Sequence, residues 1–362
     1  MAHHRAPMLG GLAAALAVAV FGLSACATGP RMPDPPAYAA WSRGHKVKGV
    51  EARRVLIPKA SSDEYKRSWG VRLVNPDPAF RAGVTGRGVT VAVIDTGLAW
   101  AQPEVVNGAS KSSTDLIETR KIDGRFADHG GGVAGAVSAA LDGGGLVGVA
   151  YGATLLSIRA DLDGSCQTDC TFRTRDLARG MDYALANGAR IIVLAVEGHH
   201  RLSPIFEGAM ERATAAGAVI VAAAGNEMDV DPAWPARYAA DPRFARSVVA
   251  VGAARPDGRL AAWSNRAGST RARYLTAPGD RLFVNCDEKY CRQVSGTSYA
   301  TAYVAGAIAL VMEARPDLSA QDAADLVLQA GRATGDGASS GRGLLDVGRS
   351  VDAARRRLAQ AQ

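Results

Sequence analysis

Beyond about residue 60 the chain alternates short apolar runs with longer amphipathic stretches. Val89–Ile94 is a largely β-branched run that ends in Asp95-Thr96-Gly97, the pattern of a buried strand feeding a turn. Similar runs occur at Thr154–Ile158, Ile191–Val196, Val219–Ala223 and Val248–Val251. Between them lie helical periods. Arg175–Asn187 puts Leu177, Met181, Ala184 and Leu185 on one face, and Ile205–Ala216 is a second such stretch. Two further helices are expected from Ser298 to Met312 and from Ser319 to Ala330, the latter entered through Pro316-Asp317-Leu318-Ser319. Apolar runs of about five residues alternating with helices of about twelve predict βαβ units. The expected fold class is therefore α/β, with a mainly parallel sheet and helices on both faces. No internal repeat is evident.

The first 60 residues follow a different pattern. Arg5 precedes an uncharged apolar run, Met8–Leu23, that is short for a membrane span, which needs about 20 apolar residues. It reads as a signal peptide. The run ends in Leu23-Ser24-Ala25-Cys26, which resembles the lipobox of bacterial lipoproteins and would leave Cys26 as a lipidated first residue. Ala27 then lacks the Asp that retains such proteins at the inner membrane, so the expected place is the outer membrane or cell surface. Cleavage after Ala25-Cys26-Ala27 would instead give a soluble periplasmic or secreted protein. Residues 28 to about 60 carry Pro30, Pro33, Pro35, Pro36 and Pro58 without sustained periodicity and read as a tether.

Composition narrows the classes. The 362 residues are 48% hydrophobic and 21% charged, which excludes a mainly disordered chain. With 41 Gly, many tight turns are expected rather than a helical bundle. The net charge of +7 is scattered, with no basic run interleaved with aromatics, which argues against nucleic-acid binding. Of five Cys, setting Cys26 aside leaves four, Cys166, Cys170, Cys286 and Cys291, which suit two disulfides in an exported chain. Three connectivities exist, and the local pairs Cys166–Cys170 and Cys286–Cys291 are expected. A four-Cys metal site fits the spacing only loosely and an oxidising compartment poorly.

Three positions carry candidate chemistry. Asp95 ends a buried strand at the carboxyl edge of a parallel sheet, where α/β proteins build their sites. His129 opens a Gly-rich helix start, Asp128-His129-Gly130-Gly131-Gly132-Val133-Ala134-Gly135. Ser298, in Ser295-Gly296-Thr297-Ser298-Tyr299-Ala300, stands at the start of an apolar helix, whose backbone donors favour developing negative charge. Each has a plain structural reading: a turn Asp, a core His, an N-cap Ser. Together, in the order Asp, His, Ser, they make an orienter, a base and a nucleophile. That order differs from those of the α/β-hydrolases and the chymotrypsin type.

From about Tyr65 to Asp346 the chain resembles the subtilisin-like serine proteases, the subtilase family. Val91–Gly97 is similar to the family's Asp motif, Gln102-Pro103-Glu104-Val105 to the segment after it, His129–Gly135 to the His motif, and Gly296-Thr297-Ser298 with Val304-Ala305-Gly306 to the Ser motif. Ala222-Ala223-Ala224-Gly225-Asn226 is similar to the segment that holds the oxyanion-hole Asn, which implies that role for Asn226. The resemblance implies a three-layer fold and a serine endopeptidase acting on exported or extracytoplasmic proteins and peptides as a monomer. It implies no required cofactor, and it allows calcium without assigning ligands. The expected substrate-binding residues are Ala195, Val196, Glu197, Gly198, Ala223, Ala224 and Gly225. The domain reading is a signal peptide at 1–25, a tether at 26–64, the peptidase domain at 65–350 and a tail at 351–362.

Trp69-Gly70 before Gly86-Arg87-Gly88, the Cys-bearing loop near Gly164 and the ending Gly341–Asp346 look like the subtilases that form autotransporter passengers, here without a C-terminal barrel. The tether is too short for a folded inhibitory propeptide, so folding without a prodomain chaperone is expected. The sequence departs from the family pattern at Gly131-Gly132, at Ala302-Tyr303 and at Val193, Ala195 and Glu197. Glu197 is expected near the mouth of the pocket for the residue before the scissile bond, favouring small or basic side chains; its alternative is a solvent-facing position. The adjacent His199-His200 pair is a poor metal site, because neighbouring loop residues point apart. A subtilase-fold binding protein with little turnover, or an esterase on the same three residues, are the competing readings.

Overall fold

The computed structural model describes residues 24–25, 56–98, 103–106, 108–117, 120, 128–167, 170–286 and 290–361. The apolar leader up to Leu23, Cys26 and most of the tether lie outside the described residues.

A seven-stranded, wholly parallel sheet forms the middle layer. Its strands are β1 (Thr90–Asp95), β2 (Thr114–Asp115), β3 (Thr154–Arg159), β4 (Ile191–Leu194), β5 (Val219–Ala223), β6 (Val248–Ala254) and β7 (Tyr274–Pro278). The spatial order is β2-β3-β1-β4-β5-β6-β7. The chain therefore starts in the middle, winds out to one edge, and returns to add β4 on the other side of β1. The resulting switch between β1 and β4 leaves a crevice at the carboxyl ends of the strands.

Strict alternation builds the layers, because successive side chains of a strand point to opposite faces. Val91 and Val93 of β1, Ile191 and Val193 of β4, and Val219 and Val221 of β5 join one core. Ala92 and Ile94, Ile192 and Leu194, and Ile220 and Ala222 join the other. On the first face lie α1 (Asp128–Ser138), α4 (Thr297–Ala314), α5 (Ala320–Gln329) and α6 (Val347–Ala361); on the second lie α2 (Thr174–Ala186) and α3 (Pro204–Ala215). Helix α4 is buried from Thr297 through Val311, which explains why its sequence is apolar all round rather than amphipathic. Val193, which departs from the family's polar residue, is one of the wholly buried side chains of the sheet.

The five expected strands and four expected helices form. The structure adds elements that the apolar pattern did not reveal. β2 is too short for any pattern, and β7 mixes Tyr, Thr and Pro with its apolar residues. β7 would be an exposed edge, but Gly343–Leu345 covers it through bonds from the Thr276 N–H to the Gly343 carbonyl and from the Leu345 N–H to the Thr276 carbonyl. Short helices at Asp63–Arg67, Trp69–Leu73 and Asp77–Arg81 precede the sheet. The first begins inside the stretch expected as tether, and its Glu64 is buried. Helix α6 runs through the position where a tail was expected to begin, because Val351 and Ala354 pack in the core. Disulfides join Cys166 to Cys170 and Cys286 to Cys291. The second closes a hairpin of β8 (Leu282–Val284) and β9 (Arg292–Val294) beside α1.

Candidate active site

Three strand ends and two helix starts converge on the crevice. Asp95 is the last residue of β1 and is fully buried. Its Oδ1 accepts the Thr96 backbone N–H at 2.6 Å, which fixes the carboxylate's direction. His129, the second residue of α1, places Nδ1 at 2.8 Å from Asp95 Oδ1 and 3.0 Å from Oδ2. A carboxylate accepts, so Nδ1 is the donor in this contact. Nε2 is buried and has no hydrogen-bond partner among the described residues.

The glycines after His129 have a local cause. A Cβ on Gly130 would lie 2.5 Å from the Gly97 carbonyl and 3.2 Å from Asp95 Oδ1, so the helix start can press against the Asp turn only without a side chain. The Gly130 N–H donates to Thr96 Oγ1 at 3.0 Å, which ties the two segments together. A Cβ on Gly132, one of the two departures from the family's His motif, would lie 3.0 Å from the Tyr299 ring and 3.2 Å from Val284, so the disulfide hairpin occupies the space a larger residue needs. Asp128 reaches the same hairpin through Arg292 at 2.8 Å, and burial pushes its carboxyl up despite that guanidinium.

Ser298 is the second residue of α4, where backbone N–H groups have no acceptor within the helix. Tyr299 beside it lies with its ring 5.4 Å from the His129 ring, which puts the start of α4 against the imidazole. The Ser298 hydroxyl donates to the Ala195 carbonyl at 3.0 Å, just beyond the end of β4. Asn226, just beyond β5, is held rigidly: its Oδ1 accepts from the Thr297 N–H at 2.9 Å and from the Thr297 hydroxyl at 3.2 Å. That fixes the amide nitrogen on the opposite side, where it donates to both carboxylate oxygens of Glu197 at 3.0 Å.

The expected pocket residues divide. Glu197 is 6% exposed and turned inward onto Asn226, so the solvent-facing alternative fails. Ala195, Val196, Ala223 and Ala224 are wholly buried, and Val196 packs into the core on the α2–α3 face. Gly225 sits at φ +103°, and a Cβ there would meet Asn265 Nδ2 at 2.3 Å. His199 and His200 lie exposed on the loop that follows. Two supports escaped the sequence reading. Thr297 orients Asn226, and the buried Asn265 holds the loop after β5 by accepting the Glu227 and Asp229 N–H groups at 2.9 Å each. Thr297 lies inside a recognised motif and could have been found there; Asn265, an isolated Asn, gave no signal. Among the described residues no group of three or more His, Cys, Asp or Glu could hold a metal ion, so no calcium ligands are assigned.

The parallel α/β sheet thus carries a buried Asp–His pair and a helix-start serine at its carboxyl edge, in the chain order Asp, His, Ser. The sequence profile of the Subtilase family matches residues 86–343. The chain is similar to the thermostable alkaline protease of Halalkalibacterium halodurans, 32% identical over 290 residues, covering 78% of this chain and 73% of that protein. It is 30% identical to subtilisin DY of Bacillus licheniformis over 285 residues, 77% of this chain and 96% of the relative. Subtilisin BL of Lederbergia lenta is 31% identical over 254 residues, with 69% and 86% covered. The chain belongs to the subtilase family. It is a serine endopeptidase that acts on proteins and needs no organic cofactor.

Proposed function

We propose that Ser298 is the nucleophile, His129 the general base and acid, Asp95 its orienter, and Asn226 with the Ser298 backbone N–H the oxyanion hole. The observation that carries this reading is the buried Asp95–His129 contact at 2.8 Å, which leaves Nε2 unpartnered among the described residues at the start of α4. Before attack, the Ser298 hydroxyl must leave the Ala195 carbonyl for His129 Nε2. As the Oγ–carbon bond forms, Nε2 takes the hydroxyl proton and the carbonyl π pair moves onto oxygen, where the Asn226 amide and the Ser298 N–H meet it. The imidazolium then gives its proton to the departing amine as the peptide C–N bond breaks. Water repeats the sequence on the acyl-enzyme, and Ser298 regains its proton.

The substrates are proteins and peptides outside the cytoplasm, met by a monomer that the Cys26 lipid anchors to the outer membrane or cell surface. The apolar leader ending at Cys26 supports the export, and one relative bears the name minor extracellular protease. Among the described residues no helix is long and apolar enough to cross a membrane.

Fluorophosphonate labelling with peptide mapping tests the assignment. Label is expected on Ser298, with none on Ser298→Ala, and peptide hydrolysis should vanish with it. Hydrolysis that survives Ser298→Ala would overturn the nucleophile.

A further inference from the structure

We propose that Glu197 locks the oxyanion donor and that a cationic side chain, lysine or arginine, immediately before the scissile bond opens the lock. The inference rests on the reading of Asn226 as that donor. Both Glu197 carboxylate oxygens lie 3.0 Å from Asn226 Nδ2. The amide cannot turn away, because Thr297 holds its oxygen from two directions. An oxyanion served by the same nitrogen would form within about 6 Å of the carboxylate, twice a hydrogen-bond length. Two anions so placed repel, and the carboxylate opposes the charge that the site must stabilise.

The lock is a side chain on a fixed backbone. Gly198 pairs antiparallel with Trp234 through bonds of 2.8 and 2.9 Å in the two directions, so the segment stays while the Glu197 carboxylate moves. A buried carboxylate leaves a neutral amide only for a better partner, and a charge-assisted bond is roughly twice as strong as a neutral one. The side chain before the scissile bond starts one carbon from the reacting carbonyl, so a lysine or arginine there reaches a carboxylate beside the oxyanion. A neutral side chain offers Glu197 nothing, and the carboxylate's charge stays beside the forming oxyanion. Selection for a cation thus occurs in turnover as well as in binding.

The test uses the mature, disulfide-intact protein, with Glu197→Gly and Glu197→Gln beside it and thermal melts to confirm folding. Peptides that differ only by lysine or norleucine before the scissile bond are compared in kcat and KM. The parent should favour lysine by about tenfold or more, mostly in kcat. Both variants should lose that preference, and Glu197→Gly should gain about tenfold in kcat on norleucine. A neutral fluorophosphonate should label Ser298 correspondingly faster in Glu197→Gly. Equal labelling rates with an unchanged preference would overturn the lock and leave the triad standing. Absence of label on Ser298 in folded parent and variants alike would overturn both.

Discussion

The two halves of the active site are held in opposite ways. On one side, Asp95 and His129 are joined at 2.8 Å, with Thr96 bonded both to the Asp95 carboxylate and to the N–H of Gly130. On the other, the Ser298 hydroxyl and the Asn226 amide both rest on the segment after β4, on Ala195 and Glu197, rather than on the groups they would serve in catalysis. The first half is preorganised; the second is parked. Preorganisation costs nothing at the moment of reaction, whereas a parked group must be released by what binds. On the proposed assignment, substrate discrimination falls to the β4–β5 half and proton transfer to the β1–α1 half.

The largest break in that comparison comes from Asp95→Asn. With the amide in place of the carboxylate the imidazole loses its fixed tautomer, so kcat should fall about 10⁴-fold with little change in KM. Steady-state kinetics on one peptide would show it, and a loss confined to KM would mean that Asp95 serves binding instead. Gly130→Ala attacks the same half through packing. Its Cβ would meet backbone at 2.5 Å, so a stability loss of about 1–3 kcal/mol and a fall in kcat are expected together. Chemical denaturation beside kinetics measures both, and unchanged values would show that the α1 start shifts freely against the Asp turn.

The smallest effect lies beneath the His helix. Glu104 bonds the Leu146 N–H at 3.1 Å, and burial pushes its carboxyl up to about 7 from 4.5. A carboxyl raised on folding stabilises the fold below its unfolded value and loses that contribution as pH rises through about 7. Glu104→Gln should therefore be more stable than the parent by about 1–2 kcal/mol at pH 8 in calcium-free buffer, with the advantage gone near pH 4. Melting curves at both pH values check this. A variant less stable at pH 8 would show the ionised carboxylate to be the stabilising form, and kcat should stay unchanged.

Much of this molecule was legible before its structure. Short apolar runs marked five of the seven strands, because a parallel strand covered on both faces must be apolar at every position. The missed strands carry two residues in one case and a mixed, edge-covered sequence in the other. Asp95, His129, Ser298 and Asn226 stood out as candidates because each sits in a local motif rich in glycines and small residues. At Gly130 the reason is its close approach to the Gly97 carbonyl. Glu197 stood out as a departure, but its contact did not: 29 residues separate it from Asn226. Asn265 and the second role of Thr297 were equally hidden, because their partners lie on loops that only the sheet order makes neighbours.

By itself the sequence determined the α/β class, the family, the order of the candidate residues and an apolar leader ending at a cysteine. These depend on periodicity and on short motifs, which act over a few neighbouring residues. Only the tertiary structure decided that β4 and β5 lie side by side, with Val193 in register with Val221. That adjacency brings the end of one strand over the end of the next and sets a buried carboxylate on the Asn226 amide. A contact between side chains of distant segments depends on which strands pair and in what register, and no local pattern carries that information.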